Sequence, residues 1–177
     1  MLGIVFSEFE KLVEEKFSMD MLDDILDEAN LDNDGAFTAV GSYPFADLAK
    51  MVGLLSKHSG IPVPDLVEVF GGHLFTIFHQ RYAQFFEGID SSLTFLEGIE
   101  DTIHTEVQKL YPEAELPTFT CTRIDDQTLQ MHYQSRRPLA PLALGLIRAC
   151  VEHFGQPAHI RHEGEANDMV FTVKLDT

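Results

Sequence analysis

Positive charge, cysteine and long apolar runs are what this 177-residue sequence has least of. Twelve Lys and Arg stand against 29 Asp and Glu, a formal net charge of −17. So acidic a chain is not expected to bind nucleic acid non-specifically or to adhere to anionic membranes, since both need clustered basic residues. Its two cysteines, Cys121 and Cys150, are too few for a disulfide scaffold and form no CxxC or CxxCH pattern. That argues against zinc knuckles and covalent haem attachment, and for a reducing, cytoplasmic setting. No apolar run reaches the ~20 residues of a membrane span, and the start "MLGIVFSEFEKLVEEKF" lacks the basic n-region of a signal peptide. Gly-rich phosphate loops, a GxSxG elbow, an HExxH helix and a paired-carboxylate motif are all missing, so hydrolase and kinase chemistry has no foothold. Small molecules and proteins remain as partners.

What is present has the size of one domain, large enough to bury a core with a cofactor inside it. Ile4, Phe6, Phe9, Leu12 and Val13 fall at helical spacing, and Met19–Ala29 repeats the pattern with acids on its other face. A third helix runs from Pro44 to about His58, and "SGIPVP" breaks the chain. Pro64–Phe86 predicts a helix apolar on more than one face, and Ser91–Leu110 another, striped by Leu96, Ile99, Ile103, Val107 and Leu110, with His104 at the edge of the stripe. After Pro112 the texture turns to β-branched and aromatic alternation in "LPTFTCTRID", "QTLQMHYQS", "AHIRHE" and "DMVFTVKLD", with a helix at Pro141–Phe154 between the second and third runs. The expected class is α+β with an antiparallel sheet, a helical lobe over about 1–62 and an α/β lobe over about 63–177.

The scarce positive charge is unevenly placed: residues 1–50 hold twelve acids and three bases, whereas residues 101–150 hold six and five. Lys109, Arg123, Arg136, Arg137 and Arg148 lie in that second window, which makes an internal anionic ligand plausible beside the plainer reading of a thinly basic surface. Asn30, Asp32, Asp34 and Gly35 begin like a calcium loop, but Gly41 stands where the bidentate Glu is needed, so an acidic turn is expected. Cys150, His153, His159 and His162 are loosely spaced zinc candidates that match no module. In "MHYQSRRPLAPLALGLI" an extended strand would set Tyr133, Ser135 and Arg137 on one face over about 13 Å, with Arg136 pointing away. Two hydroxyls and a guanidinium suit a ligand with two carboxylates. His104, ordinarily read as a boundary side chain, is also of the residue type that ligates haem iron.

Over nearly its whole length the sequence resembles the haem-nitric oxide/oxygen binding (H-NOX) family, the bacterial relatives of the haem domain of soluble guanylate cyclase. The resemblance is carried by "MLGIVF", "VFGGHLF", "IHTEVQKLYP", "YQSRRPLAPLALGLI" and the closing strand pair. It implies a non-covalent haem b between the two lobes, with His104 as axial ligand, Tyr133, Ser135 and Arg137 on the propionates, and Pro117 pressing on the porphyrin. Leu74, Phe75, Phe78, Leu142 and Leu146 are the candidate pocket walls, some of them expected to be ordinary core. Members that hold O2 stably carry a tyrosine nine residues past the motif tyrosine; here that position is Leu142. The resemblance therefore implies a stand-alone sensor for NO, binding CO as well and rejecting O2, unless His73, His79 or Tyr43 supplies the missing donor. Its partner would be a histidine kinase, a diguanylate cyclase or a phosphodiesterase. A haem peroxidase or NO dioxygenase, and a dicarboxylate-binding module without iron, are the alternatives.

Overall fold

The computed structural model describes residues 1–176. Helices α1 (Gly3–Lys16) and α2 (Met19–Ala29) form where the periodicity places them. Ser18 caps α2 by accepting from the Met21 N–H at 3.0 Å, and Asn30 ends it in the left-handed conformation. The Asn30–Gly35 segment is a self-contained turn, with the Asn33 side chain donating to the Ala36 carbonyl and accepting from the Gly35 N–H. Helix α3 (Phe45–Ser59) begins just after Pro44 and stops at Gly60, whose φ of 73° is left-handed.

Helix α4 (Val63–Arg81) is five residues shorter at its far end than its apolar content predicts, because the chain leaves at Tyr82 into a 3₁₀ turn over Ala83–Phe85. The predicted Ser91–Leu110 helix is also interrupted. It comprises α5 (Ser92–Glu97), a π-helical turn over Ile99–His104, and α6 (Thr105–Leu110). Strands β1 (Thr118–Asp125), β2 (Thr128–Gln134), β3 (Ala158–Glu165) and β4 (Asp168–Leu175) form one antiparallel sheet in the order β1-β2-β4-β3. Helix α7 (Ala140–His153) connects the two hairpins.

Two cores result. Phe6, Phe9, Ile25, Met51, Leu55, Phe70 and Leu74 fill the helical one, and Phe9 meets Phe70 edge-on at 5.5 Å. The other lies between the sheet and α5 and α7: Leu129, Met131 and Tyr133 alternate inward along β2 against Leu93, Leu96, Ile147 and Phe171. Helix α4 serves both, giving Leu66, Phe70 and Leu74 to the first and Phe75 to the second. Where α4 crosses α7 the backbones touch: a methyl on Gly145 would stand 1.9 Å from the Glu68 carbonyl oxygen, and one on Gly71 would stand 2.3 Å from that of Leu142. Among the described residues no single helix is long and apolar enough to cross a membrane.

Candidate haem-binding site

His104 ends the π-helical turn, a rare geometry that concentrates at functional positions. Its side chain is 13% exposed, and Nδ1 lies 3.1 Å from Glu100 Oε2. Burial pushes the imidazole pKa below its ordinary value, against the opposing pull of Glu100. The ring is therefore neutral, with its proton on Nδ1 toward the carboxylate and a lone pair on Nε2. Nε2 has no hydrogen-bond partner among the described residues. The apolar stripe around it, Ile99, Ile103 and Val107, is only half-buried; no residue of Ile99–Leu110 is fully covered.

An aromatic path joins His104 to the hydroxyl-guanidinium motif. The Phe119 ring is 5.9 Å from the imidazole and 5.5 Å from the ring of Tyr133, its cross-strand partner. The motif is not the strand face predicted from alternation, because β2 ends at Gln134. The Ser135 N–H instead donates to the Asn167 carbonyl at 2.9 Å, and the chain turns. Ser135 Oγ accepts from the Arg137 N–H at 3.1 Å, and the buried Tyr133 hydroxyl donates to the Arg137 carbonyl at 3.4 Å. Three residues expected in a row are thus tied into a corner, with burial pushing the Tyr133 phenol above its ordinary pKa.

The Arg137 guanidinium pairs with the Glu115 carboxylate, donates to the Glu115 carbonyl at 3.4 Å, and lies 5.7 Å from the centre of the Phe45 ring. Beside it opens a cleft of about 670 Å³ whose lining includes Glu115, Ser135, Arg136 and Arg137. Arg136 is exposed in that cleft rather than turned to the opposite face of a strand. Pro117 is half-buried just ahead of β1.

The candidate pocket walls separate into two groups. Leu74 and Phe75 are buried in the helical and the sheet-side core respectively, whereas Phe78, Leu142 and Leu146 are half-buried, with Leu146 packed against both cores. Of the three alternative donors, His73 and Tyr43 have polar neighbours and His79 is packed among rings. His73 lies 3.3 Å from the buried Glu8 carboxylate, and the Tyr43 hydroxyl accepts from the Thr38 N–H. The His79 ring packs 4.2 Å from that of His153 and 4.7 Å from that of Phe86.

The zinc candidates do not assemble. Cys150 is a core thiol pushed by burial up to about 12, and His159 is exposed beside Asp176. Among the described residues no three His, Cys, Asp or Glu side chains are placed to hold a metal ion.

The family model for haem-NO-binding domains matches residues 2–162. The chain belongs to the haem-NO-binding family. As a member of that family it is similar over its full length to the Fe(II) unliganded H-NOX protein from K. algicida, with 33% identity, a TM-score of 0.95 and 97% of that chain covered. It is similar also to the H-NOX protein from S. oneidensis in the Fe(II)NO state, with 27% identity, a TM-score of 0.92 and 100% of both chains covered. The H-NOX protein from Shewanella woodyi in the Fe(II)CO state is 38% identical over 98% of this chain and 94% of that one, with a TM-score of 0.84. Soluble guanylate cyclase gcy-35 of Caenorhabditis elegans is 25% identical over 84% of this chain, which spans only 22% of that protein. The fold is the α+β fold of these haem-NO-binding domains.

The residues present fit the haem that such domains bind. A neutral imidazole with a free Nε2 is the donor iron requires, and a carboxylate on the opposite ring nitrogen is the usual companion of a metal-ligating histidine. Sequence reasoning missed two residues, Glu100 and Phe119. An acid four residues before a histidine was the available signal for the first; nothing marked the second.

Proposed function

We propose that this chain is a haem-based sensor that takes NO and CO at ferrous haem b, excludes O2 and passes the signal to another protein. The observation that carries this reading is the His104 imidazole, held by Nδ1 and open at Nε2, one aromatic ring away from Tyr133, in a chain of the haem-NO-binding family. Haem, when bound, would supply an iron able to take diatomic gases.

The chain's own residues do the rest. His104 would ligate the iron, Tyr133, Ser135 and Arg137 would hold the propionates, and Pro117 would press on the porphyrin. Arg137 can exchange its pairing with Glu115 for a propionate, since one guanidinium offers five donors. Leu74, Phe78, Leu142 and Leu146 form the apolar gas-binding side. Leu142 offers no hydrogen bond, and His73 faces the Glu8 carboxylate, which supports exclusion of O2, the ligand that most needs a donor. The same walls lack the polar acid–base groups of a peroxidase.

Release of His104 from the iron on NO binding would free the lobe of about 1–62 to shift against that of about 63–177. This switch requires NO to favour one arrangement over the other. Arg137 is well placed to report it, since its guanidinium lies over Phe45 of α3 and near the Met1 ammonium, whose pKa burial and then Arg137 push down. The partner is a cytoplasmic histidine kinase or a diguanylate cyclase or phosphodiesterase, reached through a protein surface. His104→Gly supplied with imidazole tests the switch. It is expected to keep haem and bind NO, while the NO-dependent change in amide hydrogen exchange across α1–α3 disappears. The same change as in the unaltered protein would sink the mechanism.

A further inference from the structure

We infer that Glu100 is a positioning residue that sets the strength of the bond between His104 and the haem iron. This rests on the haem reading above and deepens it. The carboxylate is fixed from two directions. Its Oε2 faces the His104 Nδ1–H at 3.1 Å and accepts the Phe119 N–H at 2.9 Å, so the strand β1 backbone holds the same oxygen that holds the imidazole. The Thr105 hydroxyl donates to the Glu100 carbonyl at 3.3 Å, five residues along, and secures the wide turn from which both side chains project. Glu100 is 39% exposed and His104 13%, so the carboxylate meets water at the edge of a ring that is largely covered.

An anionic acceptor on Nδ1–H does two things to the opposite nitrogen. It fixes the tautomer, so that Nε2 always carries the lone pair, and it pushes electron density through the ring, making Nε2 the stronger donor. A stronger donor would hold the iron more tightly and would be released less readily when NO binds. Glu100 thereby sets how much NO binding is needed to release His104, and its tie to the Phe119 N–H links that release to the edge of the sheet.

The ferrous holoprotein carrying Glu100→Gln tests this. Glutamine keeps an oxygen for both donors and removes only the charge. The iron–histidine stretching band in resonance Raman is expected to move to lower frequency, and the equilibrium between His104-bound and His104-released NO complexes to shift toward release by about tenfold to a hundredfold. Asp101→Asn removes a charge in the same turn from an exposed residue and is expected to leave the band in place. An unchanged band in Glu100→Gln, with haem bound, overturns the inference. A Soret band absent from the unaltered protein as well as the variant overturns the haem reading itself.

A second measurement does not depend on that variant folding well. In His104→Gly, imidazole retains an N–H for Glu100 and N-methylimidazole does not, so imidazole is expected to occupy the site about tenfold more tightly. Equal occupancy by the two would contradict the inference.

Discussion

A tyrosine at position 142 would bring a phenol O–H to a place where this chain has a half-buried isobutyl group. A hydrogen bond to a charged or charge-separated acceptor is worth about 1.5–3 kcal/mol. Leu142→Tyr is therefore expected to raise O2 affinity about tenfold to a hundredfold and to give a stable oxy spectrum, while NO affinity changes little. Failure of air to produce that spectrum in the variant would mean that residue 142 does not face the gas. Tyr133, Ser135 and Arg137 could be singled out in the sequence by the spacing the resemblance supplies, but their geometry could not be read there. Alternation assumes that β2 continues, and it ends at Gln134, where Ser135 bonds to Asn167. Glu100 was hidden by abundance, since one acid near a histidine says little among 29 acids. What singles it out is a backbone contact to Phe119, 19 residues along the chain.

Among the elements, α1 and α2 were readable from apolar spacing because each buries one clear face, and α3 from the proline and the breaker that bound it. The break within Ser91–Leu110 was not, because a π-helical turn widens the helix without changing the residue types along its stripe. The crossing of α4 and α7 is equally specific, and Gly145→Ala tests it. With a methyl 1.9 Å from the Glu68 carbonyl oxygen the helices must separate. The variant is expected to lose about 1–3 kcal/mol of stability in urea unfolding; an unchanged midpoint would show that the helices part freely.

Helix α1 carries a pH-dependent cost. Burial pushes the Glu10 carboxyl from 4.5 up to about 7. Between those values the folded chain keeps a proton the unfolded chain has released, so stability falls as pH rises through that window. Glu10→Gln is expected to raise stability by about 1 kcal/mol at pH 8, less than the full linkage because the half-buried carboxyl still meets water. At pH 4, where both states hold the proton, the gain vanishes; thermal melts at the two pH values that rise equally would contradict this origin. Glu8 on the same helix behaves differently. Burial raises its pKa, but hydrogen bonds from Lys11 and His73 more than offset this and leave the carboxylate below its ordinary value.

On the scale of the whole molecule, two cores share α4, and the corner around Arg137 brings together the N-terminus, α3 and the loop that follows β2. A ligand gripped at that corner and at His104 would touch both halves, as the proposed sensing requires. Periodicity and alternation foretold an α+β chain, but not where its halves meet, since that depends on contacts between residues as distant in sequence as Phe45 and Arg137. The central claim is an iron held by His104 with a gas-binding side that offers O2 no hydrogen bond. One absorption series tests it: ferrous protein, reconstituted with haem under anaerobic conditions, then exposed to NO and, in a separate portion, to air. The account predicts a Soret band that shifts with NO and gives no stable oxy spectrum in air. Absence of a Soret band, or a persistent oxy spectrum, would contradict it.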